Sequence, residues 1–186
     1  MKKSLARKLS VFFAGIVFIT CLVLVGLTVM IFGNIEDRMK DVLYENTLQS
    51  YKTEVKSEVQ SAISSIEYYY NLSDSGKIDE ATAKKDALEA LRNLRYGDDD
   101  SGYFWVDDTD YNLVMHPILP EQEGTNRYDL TDKNGVKIIQ SIMKTAESGG
   151  GFNEFYFTKS DGKTVAPKVA YSQKFDKWNW VITTGI

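Results

Sequence analysis

Residues 102–116 read GYFWVDDTDYNLVMH, and this stretch decides the fold. Up to Gly97 the apolar residues recur every three or four positions; from Gly102 onward they alternate. GYFWVDD reads as a strand, TDYN as its turn and LVMH as the returning strand, which together form a hairpin. Pro117 and Pro120 then break the chain into a loop running to about Asp132. A helix over 135–148 follows, with Val136, Ile139, Ile142, Met143 and Ala146 on its apolar face and Asp132 and Asn134 offered as caps. Gly149–Gly151 closes it, and three further strand-like segments come next: FNEFYF, TVAPKVAYSQKF and WNWVITTG. KSDGK is the turn between the first two. Five short strands joined mostly by hairpins, with one helix between them, predict an antiparallel sheet in an α+β domain.

Before the hairpin the chain is helical. The segment 34–70 contains no proline and no glycine, and Val55, Val59, Ala62, Ile66 and Tyr69 form a seam with alternating spacings of four and three. The seam faces either a second subunit or the rest of its own domain. NLSDSGK (71–77) is a loop by composition. Asp79 caps a second helix over about 80–95, within 79–96, whose apolar face is Ala83, Ala87, Ala90, Leu91 and Leu94.

Further toward the N-terminus, residues 9–32 (LSVFFAGIVFITCLVLVGLTVMIF) carry no charge. As a helix this run is roughly 36 Å long, enough to cross a hydrocarbon core of about 30 Å. It is longer than a secretory signal core and does not end at small residues of the A-x-A kind, which predicts a retained transmembrane anchor. Lys2, Lys3, Arg7 and Lys8 precede it without any acid, so residues 1–8 are expected in the cytoplasm and everything from Asn34 outside.

Among 186 residues, 43% are hydrophobic and 26% charged, which suits one globular domain plus an anchor. All 26 acidic residues lie after the apolar run, and the outer part carries about −8. That argues against a nucleic-acid partner, which needs a basic face. Cys21, the only cysteine, lies inside the span, so no disulfide forms within the chain and no cysteine-based metal site exists. DLTDKNG (129–135) fails as a calcium loop, because Leu130 and Ser141 fall on two obligatory ligand positions. Asp98–Asp100, Asp107, Asp108 and Asp110 sit where turns are expected, and turns favour aspartate. With a single histidine, no G-x-S-x-G and no phosphate-binding glycine loop, an enzyme is not expected, and no cofactor or metal is implied.

His116 reads either as a structural histidine or as part of a pocket. Alternation sends Tyr103 and Trp105 to one face, and a face bearing these with Tyr156 and Tyr171 is either core or pocket wall.

The order LRNLRYG, GYFWVDD, MHPILPEQEGTN, DKNG, GGGFNEFYF, APKVAYSQKF and WNWVITTGI resembles the single-Cache (sCache_2 type) sensor domain of bacterial transmembrane receptors. Those are chiefly methyl-accepting chemotaxis proteins, then histidine kinases and cyclic-di-GMP enzymes. The resemblance covers about 34–186. It implies a long N-terminal helix along a PAS-like sheet with one pocket on the sheet face, and a small carboxylate of the acetate, propionate, pyruvate or lactate class as ligand. By position, Arg95 is implied as the anion partner. Lys168 and His116 are implied as further polar contacts, Tyr103, Trp105, Met115 and Pro117 as the apolar wall, and Tyr96, Tyr156 and Tyr171 as hydroxyl donors. A homodimer in the plasma membrane is expected. Such receptors continue past TGI into a second membrane helix and an output domain, so this sequence reads as a receptor fragment or a truncated protein. The rival reading is a membrane-anchored dimerisation domain with a vestigial pocket, and a histidine-kinase sensor is the other.

Overall fold

The computed structural model describes residues 2–159 and 161–186; the side chains of residues 2–4 and 6 lie outside the description, as does Ser160 of the expected KSDGK turn. Helix α1 (Lys2–Asp74) runs through both compact units of the chain, residues 1–48 and 49–186. The described residues of the first unit are all helical. Its charge-free run 9–32 is exposed throughout and meets the length and composition needed to cross a membrane.

The second unit is a mixed helix–sheet domain. After α1 come α2 (Glu80–Asn93), β1 (Phe104–Asp108), β2 (Leu113–Met115), a 3-10 turn (Pro120–Gln122), α3 (Ile138–Glu147), β3 (Gly151–Thr158), β4 (Val165–Phe175) and β5 (Trp180–Gly185). The five strands form an antiparallel sheet in the order β2-β1-β5-β4-β3.

Each face of the sheet has its own core. On one, Val55, Val59, Ala62 and Ile66 of α1 and Ala83, Ala87 and Leu91 of α2 pack on Phe104, Val106, Met115 and Ile182. The three–four seam therefore faces its own sheet, since that spacing serves helix-on-sheet packing as well as helix pairing. The homodimer expectation loses that seam as its support. On the other face Ile138, Ile139, Ile142, Met143 and Ala146 of α3 cover Tyr103, Trp105, Leu113, Phe155, Phe157, Ala170 and Val181.

Local boundaries differ in three places. The loop expected at 71–77 is shorter, because α1 continues to Asp74 before Gly76 turns at φ +73°. The second helix starts at the Asp79 cap, whose carboxylate accepts from the Thr82 amide, but it stops at Asn93. Asp132 does not cap α3, which starts behind Lys137 without a side-chain cap. Its carboxylate accepts instead from the amides of Asn134, Val136 and Tyr156, tying the loop to the edge strand β3.

One irregularity positions the site. The register of β1 against β2 shifts between Val106 and Asp107, so Asp107 pairs with Leu113 while Val106 pairs with Met115. Leu113 therefore joins the α3-side core and Met115 the opposite one. His116, the next residue, points back to the α3 side, where its ring meets Tyr103 and Trp105.

Candidate functional site

Alternation from Tyr103 into β1 aims Tyr103, Trp105 and Asp107 at the α3 side of the sheet. Trp105 is the centre of an aromatic stack. His116 lies against it at 6.0 Å with a 23° interplanar angle, and Phe157 at 5.8 Å with 15°. Tyr103 tilts against His116 at 5.3 Å. Lys168 reaches in from β4, with Nζ 4.4 Å from the Tyr103 ring centre and 5.6 Å from that of Trp105. It donates to Tyr103 Oη at 3.0 Å, and that hydroxyl donates in turn to the Thr158 carbonyl at 2.9 Å.

The cationic side chain that sequence reasoning missed is Arg127. The loop carrying it lies alongside β2, through Leu113 N to Thr125 O, Gly124 N to Leu113 O and Arg127 N to Tyr111 O. Its guanidinium meets Asp107 with Nε and Nη2, and both side chains are buried. Asp107 is thus a buried strand residue and not a turn carboxylate. Burial raises its pKa, against the lowering effect of Arg127. A signal was available in the sequence. An aspartate in phase with Tyr103 and Trp105 faces the core, and a buried carboxylate calls for a cation.

Among the described residues, three buried donors at this place lack a partner: Trp105 Nε1, His116 Nε2 and Arg127 Nη1. The Trp105 N–H lies near enough to Asp107 to favour its ionised form, yet makes no hydrogen bond of normal geometry. The His116 tautomer follows from its surroundings. Nδ1 accepts from the amides of Ile118 and Leu119, both at 3.2 Å, so a neutral ring carries its proton on Nε2. Burial, then the charges of Arg127, Lys168 and Arg92, lower its pKa to about 3. Burial alone brings Lys168 down to about 8. Apart from the Asp107 carboxylate, which Arg127 already engages, the charged and unpartnered groups here are donors. Unpartnered donors beside a buried cation fit an acceptor with negative charge.

The neutral histidine has a consequence for stability. Because the folded pKa lies below the unfolded value of 6.5, the unfolded chain binds the extra proton as pH falls. Stability is full above pH 6.5 and declines toward pH 3, by roughly 1.4 kcal/mol per pH unit from this residue. Asp107 acts in the opposite sense, so the contribution is isolated by comparison with His116→Gln. Between pH 6.5 and 5 the unfolding free energy of the unsubstituted chain should fall by about 2 kcal/mol more than that of the variant; parallel denaturant curves would refute the assignment.

Of the residues expected at the site, Tyr103, Trp105, His116 and Lys168 come together, with Pro117 half-buried beside them. Five others do not. Arg95 donates to the carbonyls of Arg92 and Leu94 at the end of α2, and among the described residues it has no bond to this cluster. Tyr96 and Met115 belong to the opposite core, where Tyr96 Oη bonds Thr184 Oγ1 at 2.7 Å. Tyr171 is out of phase with Lys168 and packs edge-on against Phe152 on that same opposite side. Tyr156 is out of phase with Phe155 and Phe157, and its ring lies under Lys133 Nζ at 3.7 Å. Arg92, not Arg95, reaches the proline loop. It pairs with Glu123, whose carboxylate also accepts from the His116 amide at 2.8 Å.

Comparison with known proteins gives three kinds of relative. The family described as Single Cache domain 2 matches residues 47–186. Sensor histidine kinase MctS of Rhizobium johnstonii is 33% identical over 154 residues, covering 83% of this chain and 32% of that protein. Methyl-accepting chemotaxis protein McpP of Pseudomonas putida is 26% identical over 145 residues, covering 77% of this chain and 26% of the relative. Among solved structures, a Cache chemosensory domain described as a structural basis for carboxylic acid recognition superposes with a TM-score of 0.71 at 25% identity, covering 76% of this chain and 96% of that one. The chain spans about a third or less of the length of the curated relatives it matches.

Proposed function

This chain belongs to the Single Cache domain 2 family, and from that premise we propose that it is the ligand-sensing part of a transmembrane chemoreceptor that binds a small organic acid outside the cytoplasm. The observation that carries the ligand class is the set of donors Trp105, His116, Arg127 and Lys168, in which three buried N–H groups are unpartnered among the described residues. A carboxylate supplies two acceptor oxygens and one negative charge to such a place. Carboxylic acid recognition by the similar Cache chemosensory domain supports the same class. The charge-free run 9–32 is the proposed anchor, and the bases before it orient the sensor outward. Kinase output is the second reading, favoured by the likeness to the Rhizobium sensor kinase.

A bound acid shifts the receptor only through different affinity for two states. The proposed moving part is the proline loop, which carries Arg127 and is latched to α2 through Glu123. Titration calorimetry on the full chain in detergent, with acetate, propionate, pyruvate and lactate, tests the reading. At least one of these is expected to bind one-to-one, and Arg95→Ala should leave its affinity within about twofold, well under the tenfold that 1.4 kcal/mol represents. Silence across the whole panel would sink the proposal.

A further inference from the structure

The second carboxylate-bearing group at the site is the protein's own. Asp107 is fully buried on the same strand face as Tyr103 and Trp105, and its two oxygens are held by Arg127. Lys168, also buried, has only the Tyr103 hydroxyl as a hydrogen-bond partner and no acidic one among the described residues. His116 is neutral by its hydrogen bonding, and the neighbouring Arg92–Glu123 pair cancels itself. Arg127 and Asp107 likewise cancel, which leaves the single charge of Lys168 to be balanced.

We infer that Asp107 determines specificity by charge: it neutralises Arg127 internally, so the site accepts a monoanion and rejects a dianion. The inference rests on the carboxylate reading above and adds the valence of the ligand. A second carboxylate on the ligand would be buried with no cation left to pair it and with Asp107 as a like-charged neighbour. An uncompensated buried charge is among the costliest things a protein interior can hold. Rejection of one class by an unpaired charge is a recognised route to selectivity, and here the charge is built into the strand.

Malonate and malonamate share a three-carbon skeleton and differ by one carboxylate replaced with a neutral amide, so the pair separates charge from size. Calorimetry on the full chain at pH 7.5 should show malonamate binding at least about tenfold more tightly than malonate, alongside propionate as reference. In Asp107→Asn, with the fold checked by circular dichroism, that ratio should collapse or invert, because the site then carries two uncancelled cations. The comparison in the unsubstituted chain stands even where the variant does not fold. Propionate binding with malonate and malonamate equal, or both undetectable, would overturn the charge rule and leave the carboxylate reading intact. A folded Asp107→Asn variant that keeps the original ratio would also overturn it. Failure of every monocarboxylate would instead remove the parent reading.

Discussion

Replacing Lys168 with methionine should lower the affinity for the proposed carboxylate ligand by about a hundredfold while leaving the fold as stable or more stable. The two effects have one cause. Lys168 is buried, and its pKa falls from 10.5 to about 8, so holding its charge inside the fold costs roughly 3 kcal/mol at neutral pH. The sign is that of a depressed lysine: the cost is fully present below pH 8 and fades as pH rises toward 10.5, where the unfolded chain also loses the proton. Methionine keeps the length and apolar stem without the charge. It removes that cost together with the Tyr103 contact, itself about 1 kcal/mol. Binding loses a charge-assisted hydrogen bond in a dry place, about 2–3 kcal/mol. Paired melting and titration experiments check it. A variant that binds as before would place the anion elsewhere, and one that melts far lower would make Lys168 a structural residue.

Arg127→Met should be the most destabilising single change at the site. It removes the cation from a fully buried carboxylate that already has a raised pKa. Breaking a buried pair from one side costs about 3–5 kcal/mol, because the remaining charge is left uncompensated. For a chain of this size that corresponds to a melting-point drop of roughly 6–20 °C. The loss should shrink on acidification, since Asp107 then takes a proton and becomes neutral. The double variant Asp107→Asn with Arg127→Met should recover much of the stability without recovering ligand binding, because the orphaned charge is gone but the donor is too. Equal stability of the single and double variants would mean that the pair is not coupled.

The strand and helix pattern of this chain was legible because period is a local property. Each stretch that alternates, from GYFWVDD to WNWVITTG, became a strand of the antiparallel sheet, and Asp79 caps a helix whose apolar residues recur at helical spacing. Where the reading slipped, competition between local hydrogen bonds decided. Asp132 has amides within reach in its own loop and on β3, and it serves those and not the helix end.

The candidate site was half legible. Tyr103, Trp105, His116 and Lys168 are recognisable in the sequence, while Tyr156 and Tyr171 lie one residue out of phase with their inward-facing neighbours, and that phase is a property of the whole sheet. Arg95 and Arg127 are both arginines beside a tyrosine in polar surroundings, and nothing local tells them apart.

By itself, then, the amino-acid order determined the charge-free run, the succession of helices and strands, the α+β class and the aromatic residues able to build a pocket. Only the tertiary structure decided which arginine is buried, because Arg127 is carried over Asp107 by a loop paired with β2 from some 20 residues away. A buried charge is tolerated where its counter-charge and donors converge in space, and convergence between distant segments has no signature in either segment alone.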